Sequence, residues 1–311
     1  MPYAVIFPGQ GAASPGAGQD WTDHPAWRVV IEAESVLDRP LARLLLDADA
    51  DELATTRASQ LAVLLTSLVA WQALDDALDE PPVAFAGHSL GQITALLAAG
   101  AVDRADGLRL AALRAELSQE SADTRPGRMA ALVGADLDTA ARVCAGGPDA
   151  WIANDNAPGQ VVIAGTPAGL DAAADRARDL GVRRVMPLDV GHAFHTPLLA
   201  DAAEGLRPLL DATPFREPIA PIVSNTDALG HTDPACWPDQ LARHLVQPVR
   251  WRESQRTLEA SGAATFVEAG PGKVLAGLAK RTVPGVTVLD LTAPADLSPA
   301  VGALVPTGAP R

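Results

Sequence analysis

Val5, Ile6 and Phe7 are consecutive apolar positions that run into Pro8-Gly9-Gln10-Gly11, the pattern of a short buried strand followed by a glycine-rich turn. Residues 26–79 have helical spacing. Leu44, Leu45 and Leu46 and then the apolar stretch 61–74 supply its buried faces, and Pro81-Pro82 ends it. Residues 83–86 read as the next strand and 92–99 as a helix closed by Gly100, so Ser89 lies in a turn between strand and helix. Asp103 is a suitable cap for a further helix reaching to residue 121, with Leu110, Leu113 and Leu117 on its apolar stripe. At ~100° per residue, Arg114 falls about 40° from Leu110 on that stripe.

The pattern changes over 127–191. Residues 128–133, 151–154, 161–164 and 182–187 read as strands. Asp136 caps one helix between them, and Thr166-Pro167 opens another that ends at Gly181. The order βαββαβ is that of a ferredoxin-like unit. The expected organisation is a large α/β subdomain in two parts, 1-125 and 192-311, with 126-191 inserted as a small subdomain. Residues 222–224 and 265–267 are expected as strands of the main sheet, with helices between and after them. The Pro- and Ala-rich tail from Thr292 onward is expected to be loosely held.

Apolar residues make up 48% of the 311, enough for a sizeable core. No apolar run reaches the roughly 18 residues that span a bilayer, and the start lacks the basic flank and long apolar stretch of a signal peptide. A soluble, cytoplasmic protein is expected. The net charge of -14 argues against nucleic acid and an anionic membrane surface as partners. Cys144 and Cys236 have no second Cys or ligand-spaced His beside them, so no metal site is implied, and both are expected as buried small hydrophobes. Arg176, Arg178, Arg183 and Arg184 are expected to be solvated, and they are candidates for a basic patch toward an acidic partner.

Gly87-His88-Ser89-Leu90-Gly91 matches G-x-S-x-G. In that motif a tight strand-to-helix turn strains the serine backbone and projects its hydroxyl. Glycines on either side let strand and helix approach, and N–H groups at the helix start can stabilise an oxyanion. A serine needs a base at neutral pH. His24, His231 and His244 read as surface residues, and His88 as a packing residue beside the nucleophile. His192 and His195 remain, and spacing does not separate them; His195 is taken as the base. Two other glycine-rich segments are set aside. Gly9-Gln10-Gly11-Ala12-Ala13-Ser14 lacks the third Gly of a dinucleotide fingerprint, and Gly270-Pro271-Gly272-Lys273 lacks the spacing of a P-loop.

These segments, together with Asn156-Ala157-Pro158-Gly159-Gln160, His192-Ala193-Phe194-His195, Gln247-Pro248-Val249-Arg250-Trp251 and Glu268-Ala269-Gly270-Pro271-Gly272-Lys273, recur in order over nearly the whole chain. The chain resembles the malonyl-CoA:acyl carrier protein transacylases and polyketide synthase acyltransferases. The resemblance implies a hydrolase-like parallel-sheet α/β core with an inserted ferredoxin-like subdomain. It implies Ser89 as nucleophile, His195 as base, and the N–H groups of Gln10 and Leu90 as oxyanion hole. It further implies a backbone carbonyl at Arg250 orienting the histidine. Arg114 would grip the free carboxylate of malonyl, where on general grounds such an arginine would snorkel or pair with a protein carboxylate. Gln60, Asn156, His192 and Phe194 would support or line the acyl pocket, Phe194 crowding a 2-methyl branch. Gln92 stands where relatives usually have Glu, and Leu61 where many have Pro; neither is expected to touch the chemistry.

The activity so implied moves malonyl from CoA to the phosphopantetheine thiol of an acyl carrier protein through an acyl-serine. No bound cofactor is involved, the CoA thioester being a substrate, and the protein is expected as a monomer. Two alternatives stand beside it: a discrete polyketide-pathway acyltransferase for another acyl unit or between two carrier proteins, and a thioesterase whose acceptor is water.

Overall fold

Tyr3–Phe7 is apolar at every position and forms strand β1, buried throughout, inside a mainly parallel sheet. The computed structural model describes residues 1–188 and 190–305. After β1 come helices α1 (Arg28–Leu37), α2 (Ala42–Leu46), α3 (Ala50–Leu53) and α4 (Thr56–Asp75). The helical stretch expected over 26–79 is thus four helices, the first stopped at Asp38, whose φ of 51° is left-handed. From Ala58 to Leu74, α4 is buried on all sides, as suits a helix that is apolar all round. Strand β2 (Ala84–Gly87), α5 (Gly91–Ala98) and α6 (Arg104–Thr124) follow, and the Asp103 carboxylate caps α6 by accepting from the Ala105 N–H.

The next six elements are β3 (Arg128–Val133), α7 (Leu137–Ala145), β4 (Ala150–Ala157), β5 (Gln160–Gly165), α8 (Pro167–Asp179) and β6 (Arg184–Leu188). Asp136 and Thr166 cap the two helices. The strands make a separate antiparallel sheet in the order β4-β5-β3-β6, the βαββαβ arrangement read from the apolar pattern. The chain then forms α9 (Ala200–Ala212), β7 (Ile222–Val223), β8 (Gly230–His231), α10 (Trp237–Val246), α11 (Trp251–Ala260), β9 (Thr265–Ala269), α12 (Val274–Thr282), β10 (Thr287–Leu291) and α13 (Leu297–Leu304). The main sheet has the order β10-β9-β1-β2-β7-β8; all its pairs are parallel except β7 with β8. This is the expected class: a parallel-sheet α/β core with a ferredoxin-like unit. Trp21, Trp237, Trp251, Phe85 and Phe266 are fully buried around the main sheet.

Three expectations are corrected. The tail from Thr292 is not loose over its described part. Pro294 opens a short 3-10 turn, α13 buries Ala300 and Leu304, and the Met1 ammonium donates to the Leu304 carbonyl. Residues 306–311 of that tail lie outside the described residues. Cys144 and Cys236 are half-buried rather than buried, although burial still pushes the Cys144 thiol up to about 11. Arg176 is half-buried rather than solvated: it lies against Gly146 and Gly147 and donates to the Val143 carbonyl, as a helix-end carbonyl left without a partner allows.

Candidate active site

Gly87 ends β2, Gly91 begins α5, and His88-Ser89-Leu90 make the turn between them. A Cβ on Gly87 would stand 1.8 Å from the Gly91 carbonyl oxygen, and one on Gly91 would stand 2.3 Å from that of Phe7. Glycine is therefore required at both positions for β1, β2 and α5 to meet. Ser89, between them, has φ of 53°, a left-handed conformation that a side chain disfavours. The turn presents the Ser89 hydroxyl at the carboxyl end of the sheet.

Ser89 Oγ lies 2.8 Å from His195 Nε2. His195 Nδ1 lies 2.8 Å from the carbonyl oxygen of His244, an acceptor only, so Nδ1 carries the proton and Nε2 presents its lone pair to the serine. His195 is 3% exposed. Burial first, and the Arg114 charge second, push its pKa down to about 3, so it is a neutral base at neutral pH. Once protonated in that site, it is a strong acid toward a leaving group.

His244 rather than Arg250 supplies the orienting carbonyl. The Arg250 carbonyl caps α11, accepting from the N–H and the hydroxyl of Ser254, while the Arg250 side chain pairs with Glu253. The His244 carbonyl lies in the last turn of α10, where helix carbonyls lack intrahelical partners. His244 is also not a surface residue. It is buried, its ring centroid is 5.1 Å from that of His195, and burial holds its pKa well below the usual range.

Arg114, on α6, is 3% exposed. Burial lowers its pKa to about 10, which leaves it a cation at neutral pH. Nη1 donates to Gln60 Oε1 at 2.5 Å and Nη2 to Ser89 Oγ at 3.4 Å. No carboxylate pairs with it among the described residues. A buried guanidinium without a counter-ion is costly, and an anionic ligand would relieve the cost. Gln60 Nε2 donates in turn to Gln10 Oε1 at 2.9 Å, tying Arg114 to the turn after β1.

A Cβ on Gly9 would lie 3.6 Å from Ser89 Cβ, so the turn carrying Gln10 abuts Ser89. The backbone N–H groups of Gln10 and Leu90 have no acceptor among the described residues. Both stand at helix starts beside Ser89, where free donors collect. A cavity of about 360 Å³ opens above them, lined by Ser89, His195, Gln10, Asn156 and Phe194 and, from the antiparallel sheet, by Met129 and Val162. Asn156 Oδ1 accepts from His88 Nε2 at 2.8 Å, and the His88 ring stands edge-on to Trp251. His192 is outside the cavity. Its Nε2 is 3.1 Å from Ser121 Oγ, and its ring meets Phe194 edge-on, so it buttresses the cavity wall.

Two residues were missed from sequence. One is His244. The other is Asn225, fully buried just past β7, whose side chain bonds the Ser89 N–H and the Gly87 carbonyl. A polar residue following a buried parallel strand at its carboxyl end is the signal that could have found it. Gln92 is likewise not remote from the chemistry, since its Oε1 accepts from the Asn225 N–H. No group of three or more His, Cys, Asp or Glu among the described residues could hold a metal ion. No helix among them is long and apolar enough to cross a membrane.

Residues 4–299 match the family model described as acyl transferase domain. The malonyl CoA-acyl carrier protein transacylase of Bacillus subtilis (strain 168) is 37% identical over 284 residues, which cover 89% of each chain. The crystal structure of an acyl-carrier-protein S-malonyltransferase from Burkholderia pseudomallei superposes with a TM-score of 0.91 at 38% identity, over 97% of this chain and all of that one. A malonyl-transacylase solved in complex with its type II polyketide synthase acyl-carrier protein is similar at 33% identity and a TM-score of 0.92, over 97% of this chain and 100% of that one.

Proposed function

Because the chain belongs to the acyl transferase domain family, we propose that it moves a malonyl group from CoA to the phosphopantetheine thiol of an acyl carrier protein through an ester on Ser89. The observation that carries this reading is Arg114: a buried cation, without a carboxylate partner among the described residues, 3.4 Å from the nucleophile.

His195 Nε2 takes the Ser89 proton as Oγ attacks the thioester carbonyl. The developing oxyanion lies between the N–H groups of Gln10 and Leu90, each such donor contributing about 2.7–4 kcal/mol in comparable sites. The C–S bond breaks, the CoA thiolate takes the proton from His195, and malonyl remains on Ser89. The carrier thiol then attacks the ester along the reverse path, giving up its proton to His195, which returns it to Ser89 Oγ. No carboxylic acid stands behind the histidine in this scheme. The His244 carbonyl fixes the tautomer, and a thioester is activated enough for that to suffice.

Arg114 holds the malonyl carboxylate through a planar fork, with Gln60 keeping the guanidinium in place. Phe194 and its support His192 close the cavity against a 2-methyl branch, and Asn156 steadies His88 at the cavity wall. Arg250 takes no part through its carbonyl. In this reading, 126–191 acts as one inserted subdomain that walls the cavity from the other side. The protein works as a cytoplasmic monomer, and the CoA thioester is its only small-molecule requirement.

Initial-rate kinetics test the scheme. With malonyl-CoA and holo acyl carrier protein both varied, parallel double-reciprocal lines are expected, and intersecting lines from a ternary complex contradict it.

A further inference from the structure

Ser89 holds a backbone conformation that favours glycine, so the turn around it needs restraint from outside. Asn225 grips the chain that leads into it. Its Oδ1 accepts from the Ser89 N–H at 2.8 Å, and its Nδ2 donates to the Gly87 carbonyl at 2.7 Å. One planar amide therefore bridges the strained Ser89 and Gly87, two residues before it. Asn225 is fully buried, and its own backbone is pinned twice. Its N–H donates to Gln92 Oε1 at 2.9 Å, and its carbonyl accepts from the Arg250 N–H at 2.9 Å.

The geometry points to Asn225 as a positioning residue of the acyl transfer, clamping the nucleophile turn and itself held in register by Gln92. The clamp has a second consequence. By occupying the Ser89 N–H, it turns that donor away from the reaction and leaves the Leu90 N–H as the free donor of this turn. Gln92 serves with a neutral amide oxygen, so a residue that is 2% exposed introduces no charge beneath the nucleophile. The inference rests on the reading of Ser89 as nucleophile.

Two variants separate clamping from packing. Asn225→Leu keeps the branched shape and heavy-atom count, in a somewhat larger side chain, and removes both side-chain bonds; Gln92→Leu leaves the Asn225 amide intact and frees its N–H while its carbonyl stays on the Arg250 N–H. Each is measured for thermal midpoint, for kcat and KM with malonyl-CoA, and for the rate at which a fluorophosphonate labels Ser89. The probe makes no use of Arg114 and reads only nucleophile and oxyanion geometry. Misplacement by about 1 Å costs on the order of 10²-fold. Expected are a kcat lowered roughly 100-fold in Asn225→Leu and roughly 10-fold in Gln92→Leu, KM within about twofold, and labelling slowed in parallel. If Asn225→Leu does not fold, Gln92→Leu decides alone. Folded variants whose kcat and labelling stay within about threefold of the parent, or whose loss lies in KM alone, overturn the clamp. Ser89→Ala tests the underlying reading separately: labelling that survives there removes Ser89 as nucleophile, whatever Asn225 does.

Discussion

The guanidinium of Arg114 donates to the hydroxyl of Ser89, across 3.4 Å, while the same hydroxyl lies 2.8 Å from His195 Nε2. The cation that would select an acidic acyl group thus touches the atom that would carry it. The same charge helps keep His195 neutral, so in this reading selectivity and the state of the base would share one residue.

Arg114→Ala separates the two substrate classes. Losing one partner of a buried charge pair costs about 2–5 kcal/mol, so kcat/KM for malonyl-CoA should fall at least ~30-fold. Acetyl-CoA, which has no carboxylate, should lose little. Competition between the two thioesters for Ser89 measures this, and an unchanged preference removes Arg114 from the acyl site.

His244→Gln should be mild, because the bond to His195 comes from the main chain. A kcat within about threefold of the parent corresponds to roughly 0.65 kcal/mol. A loss near that of His195→Ala would assign the His244 ring a part in the reaction.

Gly87→Ala should destabilise the fold itself. Its Cβ would meet the Gly91 backbone at 1.8 Å, and backbone cannot give way as a flexible side chain can. A loss of about 3 kcal/mol, at the upper end for overpacked sites, is expected in chemical denaturation. A stability equal to the parent's would mean that the turn is looser than described.

Stability should fall as pH drops below 6.5. His192, His195 and His244 are buried and kept neutral, with folded pKa values near 4, near 3 and well below 6.5 respectively. The unfolded chain takes up protons at these residues below pH 6.5 while the folded chain does not, each contributing a slope of about 1.4 kcal/mol per pH unit. Glu268 acts in the opposite sense. Burial raises its pKa from 4.5 to about 7, so between those values the folded state binds the extra proton and gains stability on acidification. Thermal midpoints at pH 7.5 and 5.0 should show a net decrease, steeper in Glu268→Gln, which loses the opposing contribution. A midpoint rising toward pH 5.0 would show that the histidines are not buried neutral.

The parts of the site legible in the sequence are those whose chemistry lies in a side chain with a local pattern around it. Gly87 and Gly91 flank Ser89 because three backbones meet there, and that steric demand leaves a five-residue mark. Arg114 announced itself as a cation on an apolar helix face. His244 left no such mark, since the carbonyl that orients His195 is one any residue can provide; only the end of α10 puts it in place. Asn225 follows a strand that was legible at 222–224, but no local pattern ties its amide to Ser89, on which it acts from 136 positions away in the chain. Of the fold, β10 was overlooked because its exposed and half-buried residues alternate weakly, and α13 because prolines at 294 and 299 suggested a loose tail. Pro294 stands at a helical start, where its missing N–H costs nothing.

Intact-mass measurement of the protein after incubation with malonyl-CoA, acetyl-CoA and methylmalonyl-CoA, without carrier protein, tests the central claim most directly. A single malonyl adduct that maps to Ser89, is absent in Ser89→Ala and disappears when holo acyl carrier protein is added is the predicted result. No adduct with malonyl-CoA while free CoA accumulates, or an adduct that persists in Ser89→Ala, would contradict it.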